Sequence, residues 1–177
     1  SLLFPGSLGG ANWGGGAYSP RTQRLIVNVN AAPVVAQLIP GARTVTKQDH
    51  PVAGQKTMFV TMQGTPYTLA VGPLLSPLGI PCTAPPWGKL VAVDLSQGSI
   101  AWEAPLGSVH EMGPFPLPWH IDWGTPNLGG GLVTEGGVFF IGATMDRQFR
   151  AFDVRDGRQL WSHELPIDAT ATPMSYA

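Results

Sequence analysis

Charge is scarce in this sequence. Only 12% of its 177 residues are Asp, Glu, Lys or Arg, and they cancel to a formal net charge of −1. That is roughly half the usual share of charge, and it leaves no basic footprint for a nucleic-acid partner. There is one cysteine, Cys82, so an intrachain disulfide framework is excluded. No apolar run reaches the length of a membrane-spanning helix. No basic segment followed by an apolar stretch opens the chain at Ser1. Paired metal-ligand spacing is missing as well: His50, His110, His120 and His163 are scattered. Neither a Gly-x-Ser-x-Gly elbow nor a phosphate-binding loop occurs. What is abundant is glycine (23) and proline (18), at a density that interrupts helices every few residues. Hydrophobic residues still reach 44%, with six tryptophans, so the chain has the means to bury a core and does not read as disordered. The expectation is a β-rich fold with many tight turns.

An internal repeat organises the chain. Ala92-Val93-Asp94-Leu95-Ser96-Gln97-Gly98-Ser99-Ile100-Ala101-Trp102 returns as Ala151-Phe152-Asp153-Val154-Arg155-Asp156-Gly157-Arg158-Gln159-Leu160-Trp161, with Ala, Asp, Gly and Trp at identical offsets. A fixed period of this size signals a repeat architecture. Each copy reads as a hairpin: an alternating strand, an aspartate that accepts backbone N–H groups in the turn, a glycine suited to positive φ, and a second strand. The indole on that second strand is placed to bury apolar area against a neighbouring unit.

Upstream of the second copy, Asn127-Leu128-Gly129-Gly130-Gly131-Leu132-Val133-Thr134, a glycine turn and Val138-Phe139-Phe140-Ile141-Gly142-Ala143 read as two further strands. Residues 127–166 therefore form one four-stranded antiparallel blade of a β-propeller. The glycine-rich strand is innermost, where backbones converge. Residues 12–107 follow the same plan, with a proline-rich insertion at about 30–87 in which Met58-Phe59-Val60-Thr61-Met62 and Thr68-Leu69-Ala70-Val71 form a short pair. Residues 170–177 read as the start of a next blade. The whole chain is expected to be part of one propeller: two blades plus the start of a third, and so a fragment of a longer protein. Residues 108–126 form a second irregular, proline-rich stretch, and long loops of this kind are usually functional or disordered.

Few residues stand out as chemical. Asp94 and Asp153 recur with the repeat and so read as structural. Asn28 ends an apolar strand just where the insertion begins, and its amide can both donate and accept, which suits a planar ligand bearing carbonyl oxygens. Asn12, at the mouth of the innermost strand, is a weaker candidate of the same kind. Asp146 has no equivalent in the other copy, and pairing with Arg147 or Arg150 is the simpler reading of it. His120 and Asp122 lie in an aromatic, proline-rich loop, where a histidine packed on tryptophan is the simpler reading.

The Ala-x-Asp-x-x-x-Gly-x-x-x-Trp repeat resembles the tryptophan docking motif of pyrroloquinoline quinone (PQQ) dehydrogenases, which are eight-bladed propellers. Leu3-Phe4-Pro5-Gly6 with Trp13-Gly14-Gly15, Leu38-Ile39-Pro40 and Leu75-Ser76-Pro77-Leu78-Gly79-Ile80-Pro81-Cys82 resemble the membrane-bound glucose dehydrogenase branch, which includes quinate/shikimate and polyol dehydrogenases. So do Pro86-Trp87-Gly88, Pro114-Phe115-Pro116, Leu128-Gly129-Gly130 and Ala171-Thr172-Pro173-Met174. The resemblance implies a periplasmic domain, attached to the inner membrane through N-terminal helices outside this chain. It would oxidise a sugar or polyol hydroxyl with PQQ and Ca2+ or Mg2+, and pass electrons to ubiquinone. The family's catalytic aspartate, its lysine and most metal ligands belong to earlier blades, so no catalytic or metal residue is assigned here and the isolated chain is expected to be inactive. Carried over by position, Asn28 matches an asparagine near the quinone oxygens and Asp146 an aspartate near the active-site region. Leu128 stands where alcohol-oxidising relatives carry a tryptophan beside the cofactor. Asn12 falls where relatives vary. The alternative from another class is a non-catalytic propeller scaffold, which would not need the insertion or the Pro86-Trp87-Gly88 segment.

Overall fold

The computed structural model describes residues 1–6, 9–41, 57–110 and 121–176. Among them the chain forms twelve strands and no helix: β1 (Leu2–Leu3), β2 (Gly10–Ser19), β3 (Arg24–Asn30), β4 (Val34–Pro40), β5 (Met58–Thr61), β6 (Tyr67–Pro73), β7 (Gly88–Asp94), β8 (Ser99–Pro105), β9 (Gly131–Val133), β10 (Val138–Ile141), β11 (Gln148–Asp153) and β12 (Gln159–Glu164). None of the described residues therefore belongs to a helix long and apolar enough to cross a membrane.

Alternation of side chains decides which face of each strand is buried. On β3, Ile26, Asn28 and Asn30 are buried while Val27 and Val29 are only half-buried. Strands β2-β3-β7-β8 form one antiparallel sheet and β9-β10-β11-β12 another. Their facing sides share one core: Ile26, Leu90 and Ala92 from the first, Phe139, Ile141, Phe152 and Val154 from the second, closed by Leu106 between them. Two four-stranded antiparallel sheets stacked in sequence order are the blades of a β-propeller.

The repeat in the sequence is a repeat in structure down to its irregularities. In the first copy the register shifts between Ala92 and Val93, opposite Trp102, and in the second between Ala151 and Phe152, opposite Trp161. Asp94 and Asp153 cap the following turns as expected: Asp94 Oδ1 accepts from Ser96 N (2.9 Å) and Gln97 N (3.2 Å), and Asp153 Oδ1 from Arg155 N (2.8 Å). The Asp153 carboxyl is drawn down to about 2 by the Arg155 side chain and backbone N–H. Gly157 adopts φ 72°, and it does more than turn the chain. A Cβ there would stand 2.4 Å from Trp102 Cε3, because the indole of the first sheet lies flat on this glycine of the second. Trp102 Nε1 also donates to Val154 O (2.9 Å), which accepts from Arg24 Nη1 (3.1 Å) as well. Trp161, the equivalent residue of the second sheet, is 48% exposed.

The inner strands approach too closely for side chains. A Cβ on Gly14 would lie 2.1 Å from Gly129 C and O. Gly14→Ala is therefore expected to push the inner strands apart and lower the unfolding midpoint, as thermal denaturation monitored by far-ultraviolet circular dichroism would register. A midpoint equal to the parent's would show that the strands can separate freely.

The described parts of the insertion, up to 41 and from 57, hold more strand than the sequence implies. Beyond the expected β5–β6 pair, β4 and β1 join it in a third four-stranded sheet of order β1-β4-β6-β5. Leu2 and Leu3 pair with Val35 and Val34, so the chain's first residues close the edge of a sheet built mostly from the insertion. The run Val34-Val35-Ala36-Gln37-Leu38-Ile39, which follows Pro33 and ends at Pro40, has strand composition and forms β4.

Candidate functional site

Antiparallel order sorts the connections into two ends. The tight turns at 20–23, 95–98, 134–137 and 154–158 lie at one end, while the strand ends that lead into and out of the insertion and the connections after β8 and β10 lie at the other. The candidate residues Asn12, Asn28, Leu128 and Asp146 all fall at this second, insertion end.

Asn28 and Asn30 continue the phase of Ile26, so both point into the space between the sheets, where an apolar residue would be routine. They are 2% and 4% exposed. Buried amides need partners, and Asn127 supplies them. Asn30 Nδ2 donates to Asn127 O (2.8 Å) while Asn127 N donates to Asn30 Oδ1 (2.7 Å), a reciprocal pair that imitates a strand ladder. Asn28 Nδ2 donates to Asn127 Oδ1 (2.6 Å) and to Gly129 O (3.1 Å). Asn127 Nδ2 in turn faces Thr125 O (3.3 Å) and Val29 O (3.5 Å). Backbone carbonyls only accept, so they fix which end of each side-chain amide carries the NH2 group. The consequence falls on Asn28. Its donating half is committed inside the protein, and its Oδ1 meets no donor among the described residues.

Asn12 lies where β2 bulges away from β3, between Ala11 and Gly16. Its Oδ1 accepts from Trp13 N (2.7 Å), and its Nδ2 is buried without a partner among the described residues. Trp13 beside it is 69% exposed. Leu128 is half-buried and follows Asn127 directly; its N–H donates to Ala143 O (2.8 Å).

Asp146 sits on the β10–β11 connection and pairs with Arg150, while Arg147 pairs with Glu164 (3.2 Å). Both Arg150 Nη atoms reach the carboxylate, Nη1 to Oδ1 at 3.0 Å and Nη2 to Oδ2. Asp146 also accepts from Ser108 N (2.6 Å) and Thr144 Oγ1 (2.6 Å). Burial pushes this carboxyl up, but the Arg150 guanidinium, with Thr144 and Ser108, more than offsets it and holds the group below the usual carboxylate range. The carboxylate thus ties the 106–130 connection to the second sheet with its acceptor positions occupied from within the chain. Thr144 also bridges to Asn127, which links this network to the asparagine cluster.

Asn28 therefore meets the Asn127-Leu128 segment, and Asp146 is joined to it through Thr144. The sequence pointed to Asn28 but not to Asn30, although strand alternation places both on one face. Asn127 carried no such signal: the sequence reads it as the start of the glycine-rich strand, whereas β9 begins only at Gly131 and leaves Asn127 in the connection before it. Asp122 is exposed, whereas His50, His120 and Pro114-Phe115-Pro116 lie outside the described residues. Among the described residues no group of three or more His, Cys, Asp or Glu is placed to hold a metal ion. What the cluster leaves for a polar ligand is one acceptor, Asn28 Oδ1, which meets no donor among the described residues, whereas Asn12 Nδ2 is enclosed within the protein. An acceptor at this end fits a planar polar group that brings a donor to it.

Comparison with known proteins gives this end a context. Residues 1–177 match the PQQ glucose/ethanol/alcohol dehydrogenase β-propeller domain. The chain is 42% identical over 99% of its length to a Xanthomonas campestris pv. juglandis protein named "Probable quinate dehydrogenase (quinone)", of which it covers 23%. It is 40% identical, again over 99% of its length, to quinoprotein glucose dehydrogenase A of Acinetobacter calcoaceticus, of which it covers 22%. The chain thus spans under a quarter of the length of these curated relatives. In fold it is similar to the quinohemoprotein alcohol dehydrogenase of Comamonas testosteroni, with a TM-score of 0.57 at 23% identity, covering 99% of this chain and 22% of that one.

Proposed function

Because this chain belongs to the PQQ-dependent glucose/ethanol/alcohol dehydrogenase β-propeller family, we propose that it is a two-blade segment of a quinoprotein dehydrogenase acting on a hydroxyl of glucose, quinate or a polyol. The observation that carries this reading is the family match over residues 1–177, and relatives named for glucose and quinate narrow the substrate class. We place the whole protein in the periplasm, attached to the inner membrane, with ubiquinone as electron acceptor and Ca2+ or Mg2+ held mainly by blades outside this chain.

The chemistry a bound PQQ supplies is two-electron acceptance from the hydroxyl-bearing carbon. The chain's own residues bind and orient. Asn28 offers an acceptor toward a flat polar ligand at the insertion end, and Asn12 stands on the neighbouring strand β2 at the same end. Leu128 follows Asn127, the partner of Asn28, where a bulky aromatic would otherwise stand over the ligand. Asp146 acts at one remove, holding Ser108 and Thr144 so that the connections shaping this end keep their positions.

Asn28→Ala in the full-length protein is expected to weaken binding of the reduced, hydroxyl-bearing form of PQQ by about tenfold, the worth of one well-made hydrogen bond, with little change in folding. Titration of the apoprotein with reduced PQQ under anaerobic conditions, followed by tryptophan fluorescence, measures this. An unchanged affinity would remove Asn28 from the site.

A further inference from the structure

An asparagine that contacts a quinone is ordinarily credited with donating its N–H groups to the carbonyl oxygens. The geometry here points the other way. Asn28 spends Nδ2 on Asn127 Oδ1 at 2.6 Å and Gly129 O at 3.1 Å. Rotating the amide by a half-turn would set Oδ1 against two acceptors, the Gly129 carbonyl and Asn127 Oδ1. Asn127 cannot turn to relieve this, because its own Nδ2 faces the carbonyls of Thr125 and Val29 and its backbone is held in the reciprocal pair with Asn30. The side chain is 2% exposed, but Oδ1 is not among the enclosed polar atoms left without a partner, so the oxygen keeps some open surface. A ligand that brings a donor to that oxygen takes the place of the water it would otherwise bind.

We propose that Asn127 is a positioning residue that locks the Asn28 amide with Oδ1 toward the ligand, so that this contact favours the donor-bearing, reduced form of the cofactor over the oxidised form. The proposal rests on the reading that Asn28 faces the quinone oxygens. Reduction converts two carbonyl acceptors of the quinone into hydroxyl donors. An acceptor held against one of those positions therefore repels the oxidised form and pairs with the reduced one. Stabilising the reduced form raises the reduction potential of the bound cofactor and makes it the stronger oxidant toward an alcohol. Asn127 touches neither the substrate nor the cofactor; it acts only through the direction in which Asn28 points.

The test is a double-mutant cycle in the full-length holoprotein, read by spectroscopic redox titration of the bound cofactor alongside PQQ affinity. Asn28→Ala is expected to reduce the preference for the reduced form by about tenfold, a downward shift of about 30 mV for a two-electron couple. Asn127→Ala is expected to shift the potential in the same direction but by less, since Asn28 is then held by the Gly129 carbonyl alone, and to add nothing in the Asn28→Ala background. Asn127→Ser, which withdraws the Oδ1 acceptor but keeps a donor for the neighbouring carbonyls, serves if the alanine variant does not fold. An Asn127 shift that persists undiminished without Asn28, or no Asn127 shift at all, would overturn the positioning role while leaving Asn28 as a ligand contact. Unchanged affinity and potential in Asn28→Ala would instead overturn the placement of Asn28 beside the quinone, and the positioning role with it.

Discussion

Trp102→Ala is expected to destabilise the protein by about 3 kcal/mol, near the low end for removing a core tryptophan because the indole is only partly buried. Two losses combine. The ring stops covering the second sheet at Gly157, and the Nε1 donor to Val154 O disappears. The lost hydrogen bond is the smaller part, since Val154 O keeps Arg24 as a donor. Trp102→Phe should therefore cost only about 1 kcal/mol. Gly157→Ala approaches the same contact from the other side. Its new methyl would collide with the indole, and φ 72° strains any residue with a Cβ. Urea denaturation gives the ordering: Trp102→Ala and Gly157→Ala well below the parent, Trp102→Phe close to it. If Trp102→Ala shifts the midpoint no more than Trp102→Phe, the ring is not what joins the sheets.

Asp146→Ala is expected to be at least as damaging, at about 3–5 kcal/mol. Arg150 would be left as a buried cation without its partner, and Ser108 N and Thr144 Oγ1 would lose their acceptor. Replacing both members, as in Asp146→Leu with Arg150→Met, removes the stranded charge and should be milder than the single change, a reversal that only a buried pair produces. The same pair predicts an acid weakness. The Asp146 carboxyl titrates lower in the folded protein than in the unfolded chain. Its stabilisation is therefore complete above the unfolded value near 4 and is lost as the pH falls through the folded value. Between pH 5 and pH 2 the parent's unfolding midpoint should fall more steeply than that of the double variant. Parallel curves would show that Asp146 is not the group responsible.

Much of the architecture was legible in the residues because it depends on short-range periodicity. Alternation placed β7 and β11, and apolar runs placed β3 and β10; the repeated Ala, Asp, Gly and Trp located two equivalent hairpins; the glycine runs marked the inner strands. The sheet inside the insertion was only half legible. Its β5–β6 pair is local, but β4 and the opening Leu2–Leu3 join it across distances that no periodicity marks. At the candidate site Asn28 was legible as a polar residue in an apolar phase. The consequence of that placement was not.

Sequence alone determined that the chain is β-rich, that it repeats, where its tight turns need positive φ, and which family it resembles. Each of these follows from steric preferences within a few neighbouring residues. Tertiary structure decided what the polar residues do. Asn28 meets Asn127 across 99 positions of sequence, Trp102 meets Val154 across 52, and Asp146 holds Ser108 across 38. The scarcity of charge acquires a meaning in the same way. A chain whose sheets bury their faces against one another has few places for charge, and the one fully buried ion pair, Asp146 with Arg150 among the described residues, is enclosed by partners on every side. Which way an amide points, and which cation a carboxylate meets, depends on distant backbone brought into contact, and only the packed sheets settle it.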